Sequence, residues 1–182
     1  VIRYGEERID LCTCPTRVSS ITRDETGTTL QLSAAKLEFS MLSAELETTY
    51  RFGKDGRIHI SRRIVNATQP EARFSILEYV KASYGFTEYP EPMHGITLEL
   101  HGEESQTLEF AYRARSRKVR HAHSATARVP QIGAGLKLEA VSSAIAGEIV
   151  EGFVFNPFYT LTLEFAAGVN EEVRSCLSVF QN

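Results

Sequence analysis

Apolar and polar residues alternate along most of this chain and almost nowhere recur at helical spacing. The clearest stretch is 44–66, AELETTYRFGKDGRIHISRRIVN. In its first run Ala44, Leu46, Thr48, Tyr50 and Phe52 share a face, opposed by Glu45, Glu47, Thr49 and Arg51. In its second run Ile58, Ile60 and Ile64 share a face, opposed by Arg57, His59, Ser61 and Arg63. A period of two is that of a half-buried strand. A loop with an even number of residues would set the isoleucines against polar positions. A loop of Lys54, Asp55 and Gly56 instead pairs Phe52 with Ile58, Tyr50 with Ile60 and Leu46 with Ile64. It also places glycine at the third loop position, where left-handed backbone is required. Arg62 is the exception to the pattern. It falls on the apolar face opposite Thr48, either at the rim with its stem buried or held by a partner in a cleft.

The same reading predicts strands over 9–13, 17–22, 28–33, 36–42, 73–83, 96–101, 107–114, 118–127, 133–141, 148–155, 158–165 and 173–179. Turns fall at Asp24 to Gly27, at Gln69-Pro70-Glu71 and over 102–105. The segments 142–149 and 170–174 have room for a helical turn or two at most. Many short strands without helical crossovers predict an all-β chain, an antiparallel β-sandwich of supersandwich type with little or no helix. A closed barrel is the alternative. No repeat or low-complexity linker interrupts the chain, so residues 1–182 are expected to form a single domain, alone or as part of a longer protein.

Composition narrows the function without naming it. Hydrophobic residues make up 42% and charged residues 24% of 182 positions, as expected of a soluble globular chain. The net charge of −3 argues against a general nucleic-acid binder. No apolar run approaches the roughly 20 residues that span a bilayer, so no membrane partner is expected. Cys12, Cys14 and Cys176 are too few and too ill-spaced for a disulfide framework or a zinc site. Nucleophile elbows, phosphate-binding glycine loops, dinucleotide fingerprints and zinc-protease motifs are all absent, and no cofactor is expected.

Two segments carry candidate chemistry. Residues 84–95, YGFTEYPEPMHG, combine turn formers with aromatic rings and a histidine, a composition suited to lining a site. Residues 113–128, RARSRKVRHAHSATAR, concentrate cations in an acidic chain. Arg113, Arg115 and Arg117 share a parity that His121 and His123 continue. Such a segment either receives an anion or is a solvated edge strand whose cations oppose edge-to-edge pairing. Two histidines two residues apart suit a metal, but no third ligand follows at a recognisable interval, so none is expected. One of them could instead act as acid or base opposite Glu148 or Glu151.

Residues 47–76, 84–95 and 155–165, the last followed by a strand containing Cys176, together resemble the galactose mutarotase-like supersandwich. The likeness is nearest to the corresponding sandwich domain of large β-galactosidases. The resemblance implies a carbohydrate-facing sandwich, and the family's histidine and glutamate acid/base pair would map by order onto His121 or His123 with Glu148 or Glu151. The leading expectation is a carbohydrate-associated domain that binds or helps process sugars, acidic ones included. Arg62, Tyr84, Tyr89, His94, Arg115 and Arg117 would contact substrate, with His121, His123 and Glu151 as catalytic candidates. The alternatives are a sugar epimerase or lyase using a His/Glu pair, and a non-catalytic assembly module docking an acidic partner through the basic strand. Further partners would be a second copy or other domains of a parent chain.

Overall fold

The computed structural model describes residues 1–83, 95–153 and 157–181. Its strands are β1 (Ile2–Tyr4), β2 (Glu7–Ile9), β3 (Val18–Asp24), β4 (Gly27–Leu32), β5 (Ala35–Phe39), β6 (Leu42–Gly53), β7 (Arg57–Val65) and β8 (Arg73–Ser83). They continue with β9 (Thr97–His101), β10 (Ser105–Glu109), β11 (Arg115–Arg120), β12 (Ser124–Val129), β13 (Ala134–Ala140), β14 (Ala146–Phe153), β15 (Pro157–Gly168) and β16 (Glu172–Gln181). They form two antiparallel sheets, and the fold is an all-β sandwich, as the alternation predicts. The six-stranded sheet has the order β11-β14-β15-β8-β1-β2. The ten-stranded sheet has the order β10-β9-β12-β13-β16-β7-β6-β4-β3, with β5 paired to β6. Among the described residues there is no α-helix, and the only helical turns are single 3-10 turns at Leu11–Thr13 and Pro130–Ile132.

The central hairpin follows its predicted register. Phe52 faces Ile58, Tyr50 faces Ile60, Thr48 faces Arg62 and Leu46 faces Ile64. Gly56 has φ +78°, the left-handed conformation that the three-residue loop demands. The β3–β4 turn is closed by Asp24, whose Oδ1 accepts from the backbone amides of Thr26 (2.7 Å) and Gly27 (3.0 Å) and from the Thr26 hydroxyl. The Thr26 hydroxyl, then the Thr26 amide, hold the Asp24 carboxyl below its ordinary pKa. A lowered folded-state pKa contributes stability that is complete above the unfolded value and is lost as pH falls through the folded one. Asp24→Asn should therefore lower stability near neutral pH. The gap between variant and parent, followed by urea denaturation, should close below the ordinary aspartate value of about 3.9.

Three predicted strands are revised by local chemistry. The strand expected over 9–13 ends at Ile9, because the Asp10 side chain accepts from Cys12 N (3.2 Å) and starts a 3-10 turn. Cys12 and Cys14 consequently share no strand face. The strand expected over 107–114 stops at Glu109. The one expected over 118–127 breaks into β11 and β12 at His121, whose φ is +46°.

The chain clusters into two compact units, Val1–Leu77 with Phe165–Cys176, and Glu78–Glu164 with Leu177–Asn182. The first is centred on Ile2, Leu37, Leu46, Ile64 and Ile76, all fully buried, and on a Tyr4–Phe39–Phe74 cluster with centroids 5.5–6.1 Å apart. The second buries Leu98, Leu100, Leu138, Ile149, Leu161 and Leu163, contributed by β9, β13, β14 and β15. Each set sits at alternate positions of its strand, so the period of two seen in the sequence is the period of burial.

Candidate functional site at the histidine turns

Between β11 and β12 the chain passes through His121, Ala122 and His123. This turn is fastened by backbone hydrogen bonds to three other segments of its unit. His121 N donates to Ile145 O (2.9 Å), His123 N donates to His101 O (2.8 Å), and His123 O accepts from Ala140 N (2.9 Å). These bonds sustain the left-handed backbone at His121, which a non-glycine residue adopts only where its surroundings impose it.

The fastening gathers three histidines. The His101 and His123 rings stack with centroids 6.2 Å apart and planes at 10°. His101 Nδ1 lies 3.2 Å from Ser105 Oγ, and its Nε2 lies 3.7 Å from Glu99 Oε2. His121 Nε2 lies 3.6 Å from Glu103 Oε1, both side chains being exposed. Beside them is an open pocket of about 310 Å³ lined by His121, Ala122, His123 and residues 140–144, among them Ser142 and Ser143. Imidazole nitrogens and serine hydroxyls both donate and accept, and here they alternate with Ala140, Val141 and Ala144. Among the described residues no three or more His, Cys, Asp or Glu side chains are grouped to hold a metal ion.

The structure brings His121 and His123 together but does not bring Glu151 to them. In the β11–β14 ladder Arg120 pairs with Ala146 and Arg115 with Glu151. Five strand positions at about 3.4 Å each place Glu151 some 17 Å along the ladder from the histidine turn, far beyond the roughly 3 Å of direct proton transfer. Glu151 is fully buried and already engaged. Its Oε1 accepts from Ala111 N (3.0 Å) and Arg113 N (2.8 Å), and its Oε2 pairs with Arg115 Nη2 at 2.7 Å. Glu148, the other carboxylate of this strand, lies 3.6 Å from Lys118 Nζ.

The predicted binding residues are dispersed. Arg115 is taken up by Glu151 and by the Glu109 carbonyl. Arg117 is exposed on β11, with Nη1 on its neighbour's Ser116 O at 3.0 Å. Arg62 is half-buried in the other unit. Its guanidinium donates to Thr48 Oγ1 (3.0 Å) and the Tyr50 hydroxyl (3.4 Å), and lies 5.8 Å from the Tyr50 ring centroid. Tyr84, Tyr89 and His94 lie outside the described residues. His101, Glu103, Ser105, Ser142 and Ser143 were not anticipated. The available signal was that His101 borders the turn expected over 102–105.

No family model matches the chain, and no curated protein sequence matches it. Solved structures do. Slr1438 from Synechocystis sp. PCC 6803 superposes with TM-score 0.67 and 12% identity over 92% of this chain and 66% of its own. A galactose mutarotase related enzyme from Lactobacillus acidophilus gives TM-score 0.60 and 8% identity over 92% of this chain and 71% of its own. A galactose mutarotase-like protein from Clostridium acetobutylicum gives TM-score 0.56 and 7% identity over 92% of this chain and 66% of its own. The chain thus spans about two thirds of the length of these structures. The chain therefore shares the β-sandwich fold of these solved structures, of which one is described as a galactose mutarotase related enzyme and one as a galactose mutarotase-like protein.

Proposed function

We propose that this chain is a carbohydrate-binding β-sandwich domain that receives a sugar residue in the pocket beside His121 and His123. The observation that carries the reading is the chemistry of that pocket. A sugar presents hydroxyls around its rim and C–H groups on its faces. His121, His123, Ser142 and Ser143 offer hydrogen bonds for the former, and Ala140 and Val141 offer apolar contact for the latter. The volume of about 310 Å³ is at the small end of ligand pockets, which run from roughly 300 to 1,000 Å³, and suits one sugar unit rather than a cofactor. The Lactobacillus structure is described as a galactose mutarotase related enzyme, which supports looking first among aldoses.

Binding is favoured over catalysis because the carboxylates that would complete a His/Glu pair by chain order, Glu148 and Glu151, are engaged by Lys118 and by Ala111, Arg113 and Arg115, and because Glu103, the carboxylate beside His121, is exposed to solvent with it rather than held in an enclosed site. In titrations of a monosaccharide and glycan panel that includes uronates, the His121 and His123 imidazole resonances should move. Ser143→Ala and His123→Ala should each weaken binding roughly three- to tenfold, the worth of one hydrogen bond. An absence of binding to every sugar at low salt would remove this reading.

A further inference from the structure

We infer that the edge strand β11 is a binding track for a linear anionic polysaccharide, one bearing carboxylate or sulfate groups. The inference rests on the sugar-binding reading and names the ligand class. Arginines elsewhere in the described chain commonly pair with a carboxylate, as do Arg51 with Asp24, Arg63 with Glu47, Arg73 with Glu171 and Arg128 with Glu99. Arg113, Arg117 and Arg120 are exposed and have no ion-pair partner among the described residues. In a chain of net charge −3 such a run of uncompensated guanidinium groups is a local feature, not a consequence of overall composition.

Their placement selects the ligand. Among the described residues β11 ends the six-stranded sheet, with no further strand of that sheet flanking it. Arg117 and Arg120 are three strand positions apart, about 10 Å along the edge, and so leave β11 on opposite faces of the sheet, while Arg113 precedes the strand. Cations that leave one edge on both faces do not converge on one small anion, but they can flank a polymer lying in the plane of the sheet along that edge. The row is held in place, because the Arg113 amide is fixed by Glu151 at 2.8 Å and β11 is paired with β14 from Arg115 to Arg120. It runs directly into His121 and the pocket, so a polymer lying along β11 can place one sugar unit there. Single-stranded nucleic acid, the other linear polyanion, is gripped through aromatic stacking as well as charge, and residues 113–120, RARSRKVR, hold no aromatic ring.

The test uses the triple variant Arg113→Gln, Arg117→Gln and Arg120→Gln. The probes are polygalacturonate and chondroitin sulfate oligosaccharides, with dextran and a single-stranded oligonucleotide as comparisons. The parent should bind the acidic glycans with an affinity that falls as salt rises, and the triple variant should lose at least about tenfold, or about 1.4 kcal/mol. Monosaccharide binding at the pocket should be unchanged in the variant. If the triple variant does not fold, Arg117→Gln alone, whose guanidinium donates to a neighbouring carbonyl, should weaken acidic-glycan binding roughly threefold. Unchanged acidic-glycan binding in the variant overturns the inference, and aggregation alongside unchanged binding assigns the cations to edge protection instead. Binding to dextran alone, or binding of the oligonucleotide as tight as that of the glycans, also overturns it. The first of these leaves the sugar-binding reading standing, whereas no binding to any glycan removes both.

Discussion

Replacing Glu151 by alanine should destabilise the protein by about 3–5 kcal/mol, read as a lower urea midpoint at unchanged slope. The side chain is wholly buried and serves three donors. Two of them, Ala111 N and Arg113 N, flank Tyr112, which has φ +57°. Converging amides on either side of a left-handed residue form a concave anion seat, and the chain fills it with its own carboxylate. Alanine would leave both amides without their acceptor and would strand the Arg115 guanidinium, whose buried Nε already lacks a hydrogen-bond partner. The connection between β10 and β11 would then lose what holds Tyr112 in its costly conformation. Glu151→Gln retains an acceptor for the two amides but turns an amide group toward Arg115, so its loss should be smaller than that of alanine. Arg115→Ala should also cost less, because the carboxylate keeps two amide donors. A Glu151→Ala protein within about 1 kcal/mol of the parent would show that the carboxylate is not a structural clamp.

The same residue shows where the sequence stopped being informative. Bounding small residues marked the strand over 148–155, and the order of histidine before glutamate suggested an acid/base pair. What Glu151 contacts was not legible, because two of its three donors are backbone amides about 40 residues earlier, and amides carry no residue-type signature. The 44–66 hairpin is the opposite case. Its register is set by side-chain parity and by one glycine, both local, and the pairing of Thr48 with Arg62 follows from them. The break at His121 falls between these. No glycine or proline marks RKVRHAHSATAR, so it reads as one strand. The turn is imposed by hydrogen bonds to the Ile145 and His101 carbonyls and from the Ala140 amide, which no local pattern announces. The pocket depends on that turn meeting residues 140–144. Its histidines were therefore visible as candidates, whereas its serines and its partner His101 were not.

A branched side chain at position 147 should be as damaging as the loss of a buried ion pair, with Gly147→Val costing about 3 kcal/mol. Gly147 lies on β14 opposite Val119 and Leu163. A Cβ built there would fall 2.5 Å from Ala122 Cβ, 2.8 Å from Leu100 Cδ1 and 3.3 Å from Leu163 Cδ2. Ala122, Leu100 and Leu163 are all essentially inaccessible to solvent, so none can swing aside into water. Interiors packed near crystal density relieve such an overlap by moving backbone. The element with least behind it is the turn carrying Ala122, between the two histidines of the proposed sugar pocket. The substitution should therefore weaken sugar binding as well as lower the denaturation midpoint. Complementary resizing provides the decisive comparison. Gly147→Ala should destabilise the parent, and adding Ala122→Gly, which removes the nearest methyl, should recover about 1 kcal/mol beyond additivity in a double-mutant cycle. Strict additivity would mean that these two positions do not share one packed space, and the coupling between the β-sandwich interior and the pocket turn would fall with it.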